Sequence, residues 1–61
     1  MIRLGRYVPR NGKAPRVVTD TDNETYVVYY PACSPALRLQ ELPTEFAAWA
    51  VKTGAIHDLR D

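Results

Sequence analysis

Cys33 and His57 are the two side chains in this sequence that could act together as a nucleophile and its base. A reactive thiol needs a neighbour that lowers its pKa, such as a lysine or the first turn of a helix. Cys33 instead lies between Pro31 and Pro35, with neither feature beside it. The chain has one cysteine and one histidine, and it offers no closely spaced set of three or four zinc ligands. We therefore expect no catalytic residue, no metal, no cofactor and no enzyme activity.

Three carboxylates, Asp20, Asp22 and Glu24, alternate as in the first half of a calcium-binding loop. The sixth position of such a loop needs glycine and the twelfth needs a bidentate glutamate. Here those positions hold Thr25 and Pro31. The segment is therefore predicted to be an exposed turn built by Asp and Asn side chains. The alternative is an acidic tip that docks an arginine-rich partner.

Residues 5–16 read GRYVPRNGKAPR and carry four basic side chains and no acid. The Asn11-Gly12 pair predicts a β-hairpin with a type I′ turn, which needs positive φ at both central positions. Pro9 and Pro15 flank this pair and cannot donate ladder hydrogen bonds. We therefore expect the tip of the hairpin to be long or splayed.

The basic hairpin is also a candidate nucleic-acid interface. Arginine and lysine would neutralise phosphates while an aromatic ring stacks on a base. The candidate residues are Arg6, Tyr7, Arg10, Lys13 and Arg16. In the alternative interpretation, the basic residues only keep the hairpin in solution and pair with the acids of the turn at 20–24.

Length and composition limit the classes of protein to which this chain can belong. A chain of 61 residues is expected to form one small domain, 1–61, and buries only about 60% of the surface that its unfolded form exposes. No stretch approaches the roughly 18 apolar residues of a membrane span, so we expect no membrane partner. The lone Cys33 fits a reducing compartment, which predicts a cytoplasmic protein.

The pattern of apolar residues predicts an α+β fold of three to five short strands followed by one C-terminal helix. We expect either a small twisted antiparallel sheet or an SH3-like, partly closed barrel. Pro43, the apolar spacing of Phe46 and Trp49, and Gly54 predict a helix over about 43–53. The predicted strands cover residues 2–8 with a bend at the glycine, 16–19, 26–30 and 36–42, the last with a helix as the alternative. Residues 55–61 are expected to form a short tail in which Ile56 could fold back.

The segment Tyr26-Val27-Val28-Tyr29-Tyr30 is the strongest strand in the sequence, because it consists of β-branched and aromatic residues. Alternation places Tyr26, Val28 and Tyr30 on one face and Val27 and Tyr29 on the other. Such a strand is either covered on both sides or uses one face for binding. The candidate protein-binding residues are Tyr26, Tyr29 and Tyr30.

The sequence from Val17 onward resembles a small uncharacterised bacterial domain of the SH3-like barrel type. The residues that carry the resemblance are Asn23-Glu24-Thr25, Val27-Val28-Tyr29 and Leu42-Pro43-Thr44-Glu45-Phe46. It covers about half of the chain. The resemblance implies a fold and no particular activity.

Two binding hypotheses follow. In the first, the chain is a small accessory or regulatory protein, of bacterial or phage origin, that binds another protein through the tyrosine-rich strand or a sheet edge. Aromatic enrichment is typical of the centres of such interfaces. In the second, it is a small nucleic-acid-binding module that uses the basic hairpin. A second copy of the chain is a further possible partner.

Overall fold

The computed structural model describes residues 2–58, and within them it has five strands and one helix. The elements in chain order are β1 (Gly5–Val8), β2 (Arg16–Thr21), β3 (Val27–Pro31), β4 (Leu39–Glu41), α1 (Pro43–Thr53) and β5 (Ile56–Asp58). The α+β class is therefore confirmed. Of the predicted segment 36–42, only the last part is a strand.

The strands form a single antiparallel sheet in the order β4-β3-β2-β1-β5. A barrel closes only when its two edge strands pair. Here β4 and β5 lie at opposite edges, and each is three residues long. The sheet is open, so the small antiparallel sheet is confirmed and the partly closed barrel is wrong.

The helix covers the predicted residues but is not C-terminal. Pro43 takes the first helical position, and Gly54 ends the helix with a left-handed φ of 66°. The Gly54 N–H donates to the Val51 carbonyl (3.2 Å) and the Ala55 N–H to the Ala50 carbonyl (2.8 Å). This pair of bonds is a Schellman motif. It turns the chain back so that Ile56–Asp58 pairs with β1 as an edge strand. The rest of the predicted tail, 59–61, lies outside the described residues.

The basic hairpin has a long tip. Its last strand pair joins Tyr7 to Arg16, which leaves residues 9–15 as the loop. Among residues 2–58, Asn23 is the only non-glycine residue with positive φ, so Asn11 lacks the φ that a type I′ turn requires. The predicted type I′ turn is wrong and the long tip is confirmed, because the flanking prolines stop the pairing.

The core lies between the helix and one face of the sheet. Phe46 of α1 is fully buried against the rings of Tyr7 (5.2 Å between centroids) and Tyr29 (5.6 Å). Val18 and Val27 complete the buried cluster. Among residues 2–58, no helix covers the other face of the sheet, and this asymmetry positions the candidate site.

Candidate functional site

One face of the sheet points away from α1. On this face, side chains from β1, β2, β3 and the segment just before β4 form a row. Arg6 lies opposite Val17, and Val17 lies opposite Tyr30. Arg38, just before β4, places its guanidinium carbon 4.7 Å from the centroid of the Tyr30 ring. Directly opposed residues of antiparallel strands share a face. We call this surface the open face; it is defined by Arg6, Val17, Val28, Tyr30 and Arg38.

The centre of the open face is apolar. Val17, Val28 and Tyr30 are each half-buried, although no helix among residues 2–58 covers them. Val8 and Ile56 are paired at the β1–β5 edge and extend the same face, with Ile56 52% exposed. Contiguous apolar patches larger than a few hundred Å² are uncommon on soluble proteins and mark contact sites for partners.

Two guanidinium groups border this apolar centre. The Nε of Arg6 is buried and has no hydrogen-bond acceptor among the described residues. Arg38 donates from Nη1 to the carbonyl oxygen of Pro35 (2.6 Å) while its guanidinium covers the Tyr30 ring. The apolar centre therefore has a cation on either side, and Asp58 of β5 lies opposite Arg6 on the same face.

The predicted protein-binding tyrosines do not share one surface. Tyr30 lies at the centre of the open face, whereas Tyr29 is only 4% exposed and faces the helix. Burial, the largest effect, raises the pKa of Tyr29. The alternation predicted for this strand is confirmed, and the same alternation removes Tyr29 from any surface that a partner could contact.

Tyr26 lies at the border of the open face. A bulge between Val18 and Asp20 places Asp20 opposite Val28. The Tyr26 hydroxyl donates to the Asp20 carboxylate (3.2 Å), and this hydrogen bond, with the negative charge of Asp20, raises the pKa of Tyr26. The hydrogen bond to Asp20 thus fixes the Tyr26 side chain at the border of the open face.

The predicted nucleic-acid-binding residues are divided between both sides of the sheet. Arg6 is on the open face, whereas Tyr7 packs under the helix between Phe46 and His57. The Tyr7 hydroxyl also accepts the backbone N–H of Arg3 (2.8 Å), so the fold already uses this ring and its hydroxyl. Arg10 and Lys13 are exposed at the hairpin tip.

Arg16 packs into the helix side of the sheet. Its guanidinium carbon lies 4.1 Å from the Trp49 ring centroid and 4.7 Å from that of Tyr29. Its Nη1 forms an ion pair with Glu41 Oε1 at 3.2 Å. The alternative interpretation of the basic residues named the acids at 20–24 as partners, but for Arg16 the partner is an acid of β4.

The acidic segment forms a turn closed by its own hydrogen bonds. Asp22 Oδ1 accepts the backbone N–H groups of Glu24 (2.9 Å), Thr25 (2.7 Å) and Tyr26 (3.2 Å), and the Thr25 hydroxyl donates to Oδ2. The hydrogen bond from the Thr25 hydroxyl and those from the backbone hold the pKa of Asp22 well below its usual range. Within residues 2–58, no three His, Cys, Asp or Glu side chains are arranged to hold a metal ion.

Cys33 and His57 lie far apart. Pro31, Arg16, Tyr7 and His57 follow one another across four adjacent strands. Three strand spacings separate Pro31 from His57 by about 14 Å, and exposed Cys33 lies in the loop after β3. His57 Nε2 donates to the Leu4 carbonyl oxygen at 2.7 Å. The structure therefore does not bring the two residues together.

Sequence reasoning did not name three residues of the open face as site residues: Val17, Val28 and Arg38. The alternation of Leu37-Arg38-Leu39 predicted an extended segment and assigned no role to the arginine. Its position on Tyr30 depends on the register between β3 and β4, which pairs Tyr29 with Leu39. No local pattern specifies that register.

Comparison with known protein families, curated proteins and solved structures gives no match for this chain. The resemblance to an SH3-like barrel domain therefore stays a prediction. In the part of the chain that the structure describes, no helix has the length and apolar character needed to cross a membrane.

Proposed function

We propose that this chain is a non-catalytic binding protein that docks the open face onto the surface of another protein. The observation that carries the proposal is the uncovered apolar centre formed by Val17, Val28 and Tyr30 on a sheet whose other face is closed by α1. Tyrosine is enriched at the energetic centres of protein interfaces, because its ring buries a large area with few rotatable bonds.

The charges of the open face indicate the chemistry of the partner. Arg6 and Arg38 border the apolar centre on opposite sides. A carboxylate is the group that best matches the guanidinium groups of Arg6 and Arg38, because it accepts their N–H groups in charge-assisted hydrogen bonds. The partner that fits is a protein surface with an apolar centre bordered by carboxylates.

A protein fits this face better than a nucleic acid does. Asp20 lies on the open face opposite Val28, and Asp58 lies opposite Arg6. These carboxylates would repel the phosphates of a nucleic acid, which follow one another along the whole strand, whereas a protein partner needs carboxylates only where they meet Arg6 and Arg38. The proposed role is that of a small accessory or regulatory protein of bacterial or phage origin. The exposed thiol of Cys33 suits the reducing cytoplasm, where we place this role.

Site-specific photocrosslinking tests this proposal. A benzophenone amino acid replaces Gln40, which pairs with Val28 and so lies on the open face, or Val51, which is 83% exposed on the helix. Both variants are irradiated in lysate of the host cells, with and without prior nuclease treatment, and adducts are identified by mass spectrometry. We expect one protein, with carboxylates at its crosslinked surface, to be captured from position 40 and not from position 51.

Three outcomes would contradict the proposal. They are equal capture from both positions, adducts that disappear after nuclease treatment, and an adduct that consists only of two copies of this chain. The last of these would assign the open face to a homodimer.

A further inference from the structure

A cleft of about 460 Å³ lies on the helix side of the sheet, between the hairpin tip and the last turn of α1. This volume falls within the range of about 300–1,000 Å³ that small-molecule sites occupy. Its lining combines aromatic rings with basic side chains: Lys13, Arg16, Tyr29, Trp49 and Lys52. It is separate from the open face, which lies on the other side of the sheet.

The Arg16 guanidinium places a fixed positive charge at the cleft. It is held between the Trp49 ring (4.1 Å from the centroid) and the Tyr29 ring (4.7 Å). A guanidinium has five N–H donors. Among the described residues, Arg16 uses one of them, on Nη1, in a hydrogen bond to Glu41 Oε1 at 3.2 Å. The group is therefore fixed in orientation and keeps donors for a ligand.

Lysines from two different elements complete the site. Asn11 Oδ1 accepts the backbone N–H of Lys13 (2.9 Å) and fixes this part of the tip, while Lys52 lies in the last turn of α1. Three cations and the Glu41 carboxylate give a local charge of 3 − 1 = +2.

The C-terminal end of a helix ordinarily repels an anion, because its last carbonyl groups carry partial negative charge. In this helix the carbonyls of Ala50 and Val51 accept the N–H groups of Ala55 and Gly54. The Thr53 carbonyl accepts the backbone N–H of Arg10 at 2.9 Å. These hydrogen bonds reduce the repulsion that an anion in the cleft would meet.

We propose that this cleft binds a nucleoside monophosphate. A phosphate monoester carries a charge of about −1.5 to −2 at pH 7, which matches the charge of the cleft. Lysine binds phosphate as a point charge, and unstacked bases stack on aromatic rings such as that of the half-buried Trp49. The ligand is either a free nucleotide or the terminal nucleotide of a single strand, since both present the same base and phosphate.

The indole N–H of Trp49 reports on this site in solution, because Trp49 is the only tryptophan in the sequence and lines the cleft. Its NMR signal is followed while adenosine 5′-monophosphate, adenosine or inorganic phosphate is added to the full chain. We expect the nucleotide to shift the signal. Adenosine and inorganic phosphate should each bind at least roughly tenfold more weakly, since each lacks one half of the contacts.

Two single variants remove the proposed phosphate contacts. Lys13→Gln and Lys52→Gln are both at exposed positions, and each should weaken nucleotide binding by roughly tenfold. Arg3→Gln is the matched control: it removes one exposed positive charge outside the cleft and should leave the affinity unchanged. An unchanged melting temperature shows that each variant is folded.

Oligothymidylates with and without a 5′-phosphate distinguish the two sources of the ligand. Tighter binding of the phosphorylated strand than of the free nucleotide assigns the cleft to strand ends, and the reverse order assigns it to free nucleotides. The proposal is overturned if the Trp49 signal does not move at millimolar nucleotide. It is also overturned if inorganic phosphate binds as tightly as the nucleotide, or if both lysine variants bind like the unmodified chain.

Discussion

Replacing Phe46 with alanine leaves the protein largely unfolded at room temperature. Phe46 has no exposed surface, and its ring contacts those of Tyr7, Tyr29 and Trp49 at centroid distances of 5.2, 5.6 and 5.3 Å. Truncation of a buried phenylalanine costs about 3–5 kcal/mol. A core in a chain below about 70–80 residues rarely supplies more than that amount. Circular dichroism during heating and in urea measures the loss.

Val51→Ala is the control for this prediction, because it shortens an apolar side chain on the same helix that is 83% exposed. Its unfolding free energy should change by no more than about 0.5 kcal/mol. A Phe46→Ala protein that unfolds cooperatively at the melting temperature of the unmodified chain would show that α1 does not pack on the sheet as described.

Tyr30→Ala should weaken binding of the protein partner by about 30-fold or more, which corresponds to a loss of at least about 2 kcal/mol. The substitution removes the ring at the centre of the open face and the surface on which Arg38 stacks. Tyr30 lies outside the buried cluster, so the variant should stay folded. Isothermal titration calorimetry with the protein identified by crosslinking measures the change.

Tyr30→Phe is the matched control, because it keeps the ring that Arg38 covers and removes only the hydroxyl group. We expect its affinity to stay within a few fold of that of the unmodified chain. Equal affinity of Tyr30→Ala and the unmodified chain, with both proteins folded, would mean that the partner binds elsewhere.

Local signals in the sequence predicted the helix from Pro43 to Thr53 with its bounds. Proline at the first helical position and glycine in the left-handed conformation after the last one mark both ends within a few residues. The faces of β3 were predicted for the same kind of reason, since strand alternation is a local property. Val27 and Tyr29 share one face as predicted, but that face is the core face, so the prediction of Tyr29 as a protein-binding residue is wrong.

The features that escaped prediction depend on contacts between distant parts of the chain. Strand β5 is three residues long and forms because the turn at Gly54 brings it beside β1. The ion pair of Arg16 with Glu41 joins residues 25 positions apart. The division of the basic hairpin residues has a local cause instead: strand alternation sends Arg6 and Tyr7 to opposite faces, and the prediction grouped these residues by type and position in the hairpin and not by face.

Two pairs of neighbouring valines test the binding surface most directly. Val17 and Val28 lie on the open face, whereas the adjacent residues Val18 and Val27 are buried under α1. The partner protein identified by crosslinking is purified and added to the valine-labelled chain. Methyl NMR spectra are recorded at each addition. The account predicts large shifts or broadening for Val17 and Val28, with Val18, Val27 and Val51 nearly unchanged. Perturbation of Val51 with unchanged signals from Val17 and Val28 would contradict it.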